Sequence, residues 1–144
     1  MHLDSADIGA LFWLAACLCA LAVGGRPERL VAATLLVDLG VIFLSPAVTP
    51  GDAIQWVALA GDAVVLAVMV LIVVRHRRTW LLVTIGFQLV SILVHIPRMI
   101  DPDIHRWAYA AANNFAGYAV VLALLTATFT SFVGRRSDAS QRGR

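Results

Sequence analysis

Asp38 and Asp62 are the residues in this chain most able to do chemistry, because each lies well inside a long apolar run. An ionised carboxylate at mid-depth in hydrocarbon costs at least ~2.5 kcal/mol, so each must be neutral, paired or wetted. The two are equidistant in sequence from Pro50, at the centre of the short segment that joins their runs. If both runs are helices, they are antiparallel neighbours and the aspartates reach similar depth. Carboxyl groups that face each other there can share a proton, which is the chemistry a proton or cation pathway uses.

A second polar signal follows. Thr84, Gln88, Ser91 and His95 recur at i, i+4, i+7 and i+11, so on a helix they form one stripe that should face protein rather than lipid. Asn113 and Asn114, then Gly117 and Tyr118, stand early in the last apolar run, and Gln55 lies two turns before Asp62 on the same helical face. Together they describe a polar seam running from Asp38 and Asp62 past Gln88 and Ser91 towards His95, with Asn113 and Asn114 beside it. Such a seam can carry protons or cations, or simply lock helix packing, where each hydrogen bond contributes about 1 kcal/mol or less. The stripe and the aspartates can also face a partner subunit.

The elements that must hold these groups are membrane helices. Of the 144 residues 60% are hydrophobic and only 14% are charged, against roughly 25% charged in soluble domains. The charges sit in short stretches between apolar runs at 8–25, 30–48, 53–74, 79–96 and 107–133. Each run is expected to cross a bilayer, the last one tilted because it exceeds what ~30 Å of hydrocarbon requires. Strands are excluded, since five such runs close no barrel and lipid tolerates no open sheet edge. The expected architecture is all-α: one bundle of five transmembrane helices over residues 1–134, followed by a short basic tail, 135–144, expected to be disordered.

Arginine sets the orientation. Arg26 and Arg29, Arg75, Arg77 and Arg78, and Arg135, Arg136, Arg142 and Arg144 all fall on one side of the alternation, leaving Arg98 and Arg106 on the other. The positive-inside rule makes the richer side cytoplasmic, with the N-terminus outside and the C-terminus inside. Arg75, Arg77, Arg78, Arg135 and Arg136 read as topology anchors able to meet lipid headgroups. Trp80 and Trp107 fit interfacial belt positions, and Trp13 and Trp56 lie within about a turn of theirs.

Other chemistries find less support. Leu14-Ala15-Ala16-Cys17 and Ala20-Leu21-Ala22 look like leader-cleavage sites, yet Asp4 and Asp7, and no basic residue, precede them, so cleavage is not expected. Cys17 and Cys19 point to different sides of a helix, which makes a disulfide between them improbable. Gly61-Asp62 carries half of the Gly-x-Gly-Asp element of intramembrane aspartyl proteases, with Leu59 where the first glycine belongs. His95 and His105 have no metal- or haem-ligand spacing with Asp101 and Asp103, and Asp101-Pro102-Asp103 reads as a turn that starts helix 5, Pro102 preventing continuation of helix 4. No cofactor or metal is expected, and a formal charge of +2 gives no reason for a nucleic-acid partner.

From Arg78 to Leu124, on Arg78-x-Trp80, Gly86-Phe87-Gln88-Leu89, His95, Asp101-Pro102 and Ala108-Tyr109, the chain resembles uncharacterised small multi-helix bacterial membrane proteins. The resemblance implies a bacterial inner membrane and lends no activity. The expected role is a non-enzymatic accessory or scaffold subunit packed against another membrane protein or itself, since helix faces are its only sizeable surface. The alternatives are a proton or cation pathway built by a homo-oligomer around Asp38 and Asp62, and an intramembrane enzyme or cofactor protein.

Overall fold

A computed structural model describes residues 5–48, 53–100 and 106–142, all of them in or between five helices. These are α1 (Ser5–Val23), α2 (Arg26–Val48), α3 (Ala53–His76), α4 (Thr79–Ile100) and α5 (Arg106–Arg142). The helices follow the apolar runs because an α-helix satisfies its backbone polar groups within one segment, the condition for burial in an apolar surrounding. Gln55–His76, Thr79–Pro97 and Trp107–Ser137 are long and apolar enough to cross a membrane, whereas the apolar part of α1, Ile8–Val23, is shorter.

Each helix packs on its neighbours in sequence, and α1 also packs on α5, which closes a ring. Two-residue links force two of the reversals. At the first, the Gly24 amide donates to Ala20 and the Arg29 amide to the Gly25 carbonyl, while Pro27 occupies the first turn of α2, where its missing N–H costs nothing. A side chain on Gly24 would run into the Ala20 carbonyl. At the second, Arg77 takes a left-handed conformation (φ 48°) and its amide closes α3 on the Val73 carbonyl.

Inside the half of the ring nearest these two turns, Cys17, Ala20, Val31, Leu35, Val65, Met69, Leu81 and Leu124 form a dry core. Its outside is equally apolar: Leu71, Val74, Phe129 and Leu122 are exposed, as lipid-facing residues are. Glu28 is the exception to the apolar interior. It is 1% exposed, accepts a 2.9 Å hydrogen bond from Ser131, and leaves its other oxygen without a partner among the described residues.

Three expectations need correction. The tail does not begin as disordered chain: α5 continues to Arg142, because residues 135–142 contain neither Gly nor Pro and include the good helix formers Arg, Ala and Gln. Helix 4 does not end at Ile96 but carries Pro97 inside it and reaches Ile100, a proline near a helix end giving up only one hydrogen bond, that of the carbonyl four residues back. Trp13, read as an interfacial residue, lies inside, its ring against Gly117 of α5. Trp56 and Trp107 are exposed, and Trp80 is half-buried with its indole N–H unpartnered among the described residues.

Candidate functional site

The α4 stripe faces inward as its spacing requires: Thr84, Gln88, Ser91 and His95 are all under 9% exposed. Thr84 bonds only its own helix, through the Leu81 carbonyl. The other three converge on Asp62 of α3. Gln88 Nε2 donates to Asp62 Oδ1 at 2.8 Å and also lies 3.4 Å from its backbone carbonyl; Ser91 Oγ lies 3.0 Å and His95 Nε2 3.1 Å from Oδ2.

Three donors around one carboxyl suit a carboxylate, which is an acceptor only. They also set the histidine. With Nε2–H donated to Asp62, Nδ1 faces the Tyr109 hydroxyl at 2.8 Å and either accepts its proton or, in the imidazolium, donates to its oxygen. The rings of His95 and Tyr109 meet edge to face, centroids 5.6 Å apart, which holds the imidazole plane. Ser91 has one proton for two nearby oxygens, Asp62 Oδ2 and Asn113 Oδ1 at 2.9 Å. With the Asn113 amide turned so that its nitrogen faces Ser91, both contacts become proper hydrogen bonds.

Asp38 behaves differently. It does not share a hydrogen bond with Asp62, as its depth suggested it could; its carboxyl lies against the Gly61 backbone, where any side chain on that glycine would displace it. Among the described residues it has no hydrogen-bond partner. Both carboxyls open onto one half-enclosed cavity of about 450 Å³ in the half of the ring away from the two short turns. Its wall is built by all five helices: Gly9 and Trp13 of α1, Leu35, Leu39, Ile42 and Phe43 of α2, Asp62, then Gln88 and Ser91, then Asn113, Asn114, Gly117 and Tyr118 of α5.

No family model, curated protein or solved structure matches this chain. Its function must therefore be read from the site alone.

Of the residues expected to form the seam, Asp62, Gln88, Ser91, His95 and Asn113 are joined by hydrogen bonds, Asp38 and Asn114 line the cavity, and Gln55 makes no hydrogen bond among the described residues. The hydrogen-bonded part of the seam lies inside the ring and is bonded within this chain. His105, Asp101 and Asp103 lie outside the described residues. No group of His, Cys, Asp or Glu among the described residues is arranged to hold a metal ion, and Cys17 and Cys19 are both free thiols.

Tyr109 was missed as a site residue, although it stands four residues before Asn113 and therefore on the same face of α5. Arg135 is bonded to the end of α1. It reaches the carbonyls of Val23 and Gly24, and Arg29 reaches those of Gly24 and Ala22, so the two cap the C-terminus of α1. Arg75, Arg77 and Arg78 are exposed, and Arg136 stands 4.5 Å over the Phe132 ring.

Proposed function

We propose that this chain is a small, non-enzymatic protein of the bacterial inner membrane that crosses it five times, N-terminus outside, and binds a cation in the cavity between Asp38 and Asp62. Three spans rest on length and apolarity. The other two rest on packing, because α1 and α2 complete the same ring and α2, at 23 residues, is about 35 Å long. The arginine distribution supports an orientation with the Gly24 and Arg77 turns in the cytoplasm and the cavity in the outer half.

The observation that carries the cation reading is Asp38, a carboxyl with no hydrogen-bond partner among the described residues, lining a cavity that also exposes Asp62 and is lined by no arginine, in a chain without lysine. Hydrogen-bonded glue accounts for Asp62 but not for Asp38. A continuous route across the membrane is not supported within one chain, since the dry core around Leu35, Met69 and Leu124 lies between the cavity and the cytoplasmic side. The accessory role expected from the sequence therefore suits it: a subunit that binds at the outer half, with translocation, if any, completed by a partner or a second copy.

Dicyclohexylcarbodiimide, which modifies protonated carboxyl groups in apolar surroundings, tests this in membranes. Modification at Asp38 or Asp62, located by peptide mass spectrometry, is expected to slow when sodium, ammonium or benzyltrimethylammonium is added. A rate that none of the three cations slows, or no modification at either aspartate, would overturn the reading.

A further inference from the structure

The walls of the cavity narrow the kind of cation. Resting on the cation-binding reading above, we infer that the ligand is a small organic ammonium ion with an apolar or aromatic body, held by Asp38 and enclosed by Trp13, Phe43 and Tyr118.

A bare metal ion needs several oxygen ligands at close range. Here both oxygens of Asp62 already accept hydrogen bonds, from Gln88, Ser91 and His95, whereas Asp38 is a carboxyl with no hydrogen-bond partner among the described residues. An ammonium ion with organic substituents asks for less coordination and more surface: one counter-charge, and aromatic faces that attract the cation through their quadrupoles. Trp13, Phe43 and Tyr118 line the cavity, beside Leu35, Leu39 and Ile42 of α2 and the neutral polar side chains Gln88, Ser91, Asn113 and Asn114. Size agrees. At about 450 Å³ the cavity falls within the roughly 300–1,000 Å³ of small-molecule sites and far exceeds the ~30 Å³ share of a water.

The wall is also shaped for a body to enter. A side chain at Gly117 would meet the Trp13 ring, and one at Gly9 would meet the Tyr118 hydroxyl, so these glycines let the two aromatic rings lie flush with α5 and α1 instead of filling the space. Phe12 meets the Tyr118 ring at a tilt of 58°, centroids 6.1 Å apart, which helps to hold that ring in place.

Equilibrium dialysis of the purified full chain in detergent micelles with radiolabelled benzyltrimethylammonium tests the inference. Saturable binding is expected, weakened about tenfold or more by Asp38→Asn, and weakened also by Phe43→Leu, which keeps an apolar side chain at an exposed position. Neopentylbenzene, the neutral molecule of the same shape, should not displace the probe. If it displaces the probe as well as unlabelled cation does, the cavity is merely apolar, and both this inference and the cation reading fall. If sodium protects Asp38 from carbodiimide while benzyltrimethylammonium neither protects nor binds, the organic ligand falls and the cation reading stands.

Discussion

Asp62 Oδ2 and His95 Nε2 meet at 3.1 Å across the α3–α4 contact, with the Tyr109 hydroxyl on the far nitrogen of the same ring. Three helices are thereby tied by one imidazole whose two nitrogens are both occupied. The arrangement needs an acceptor at position 62 and a hydroxyl at 109 to keep its donors matched.

Asp62→Asn removes one of two acceptor oxygens while Gln88, Ser91 and His95 still present donors. The change should lower stability by about 1–3 kcal/mol, the cost of a buried polar group left unmatched, read from unfolding on titration with SDS. Tyr109→Phe should cost about 1 kcal/mol and change the Nδ1 nitrogen NMR shift of His95. An unchanged shift would show that Tyr109 does not bond the ring.

Asp38→Asn should behave in the opposite way. Having no hydrogen bond to lose among the described residues, it is expected to leave stability within about 0.5 kcal/mol of the parent or above it, since a carboxyl in an apolar wall is replaced by a neutral amide. A loss as large as that of Asp62→Asn would mean that Asp38 belongs to the packing network after all.

The glycines distinguish fold from site. At Gly117 an added methyl would press on the Trp13 ring at 2.9 Å, and a rigid ring in a packed wall gives way poorly, so Gly117→Ala should cost about 1–3 kcal/mol. At Gly61 the obstacle is the end of the Asp38 side chain, which can rotate away. Gly61→Ala should therefore keep nearly full stability in the same SDS titration while altering carbodiimide reactivity at Asp38. Equal loss of stability in both variants would show that the Asp38 carboxyl is held rigidly.

Much of this arrangement was legible in the sequence, and the reasons are local. The α4 stripe announced itself because four polar residues at helical spacing cannot face lipid, and the similar depth of Asp38 and Asp62 followed from their equal distance from Pro50, whereas the cavity that both line did not. Gln55 misled because a shared face says nothing about level: it lies two turns nearer the start of α3 than Asp62 and makes no hydrogen bond among the described residues. Tyr109 and Trp13 were hidden for different reasons. Trp13 is amphipathic and stands early in its apolar run, where it reads as an interfacial residue, whereas its contact with Gly117 places it inside; Tyr109 carries no helical stripe of its own, and only its contact with His95 joins it to the site. The tail deceived by composition, since Arg135–Arg142 is polar enough for a coil yet propagates a helix already nucleated upstream.

Topology is open to direct test. With Cys17 and Cys19 replaced by serine, a single cysteine at Ser137 should react with an impermeant maleimide only after the cytoplasmic side is opened, and one at Thr49 should react in intact cells. The reverse pattern would invert the molecule and put the cavity on the cytoplasmic side.

The dry core beneath the cavity has an electrical consequence. In the proposed topology an apolar layer of Leu35, Met69 and Leu124 would concentrate the membrane field, and a cation bound above it beside Asp38 would sit part of the way down the potential drop. A full crossing corresponds to about 2.3 kcal/mol per charge per 100 mV, and even half of that changes occupancy several-fold. The cavity would then fill and empty with the energisation of the cell, a voltage dependence requiring no moving charged helix, and measurable as a shift in apparent affinity when a potassium diffusion potential is imposed on proteoliposomes.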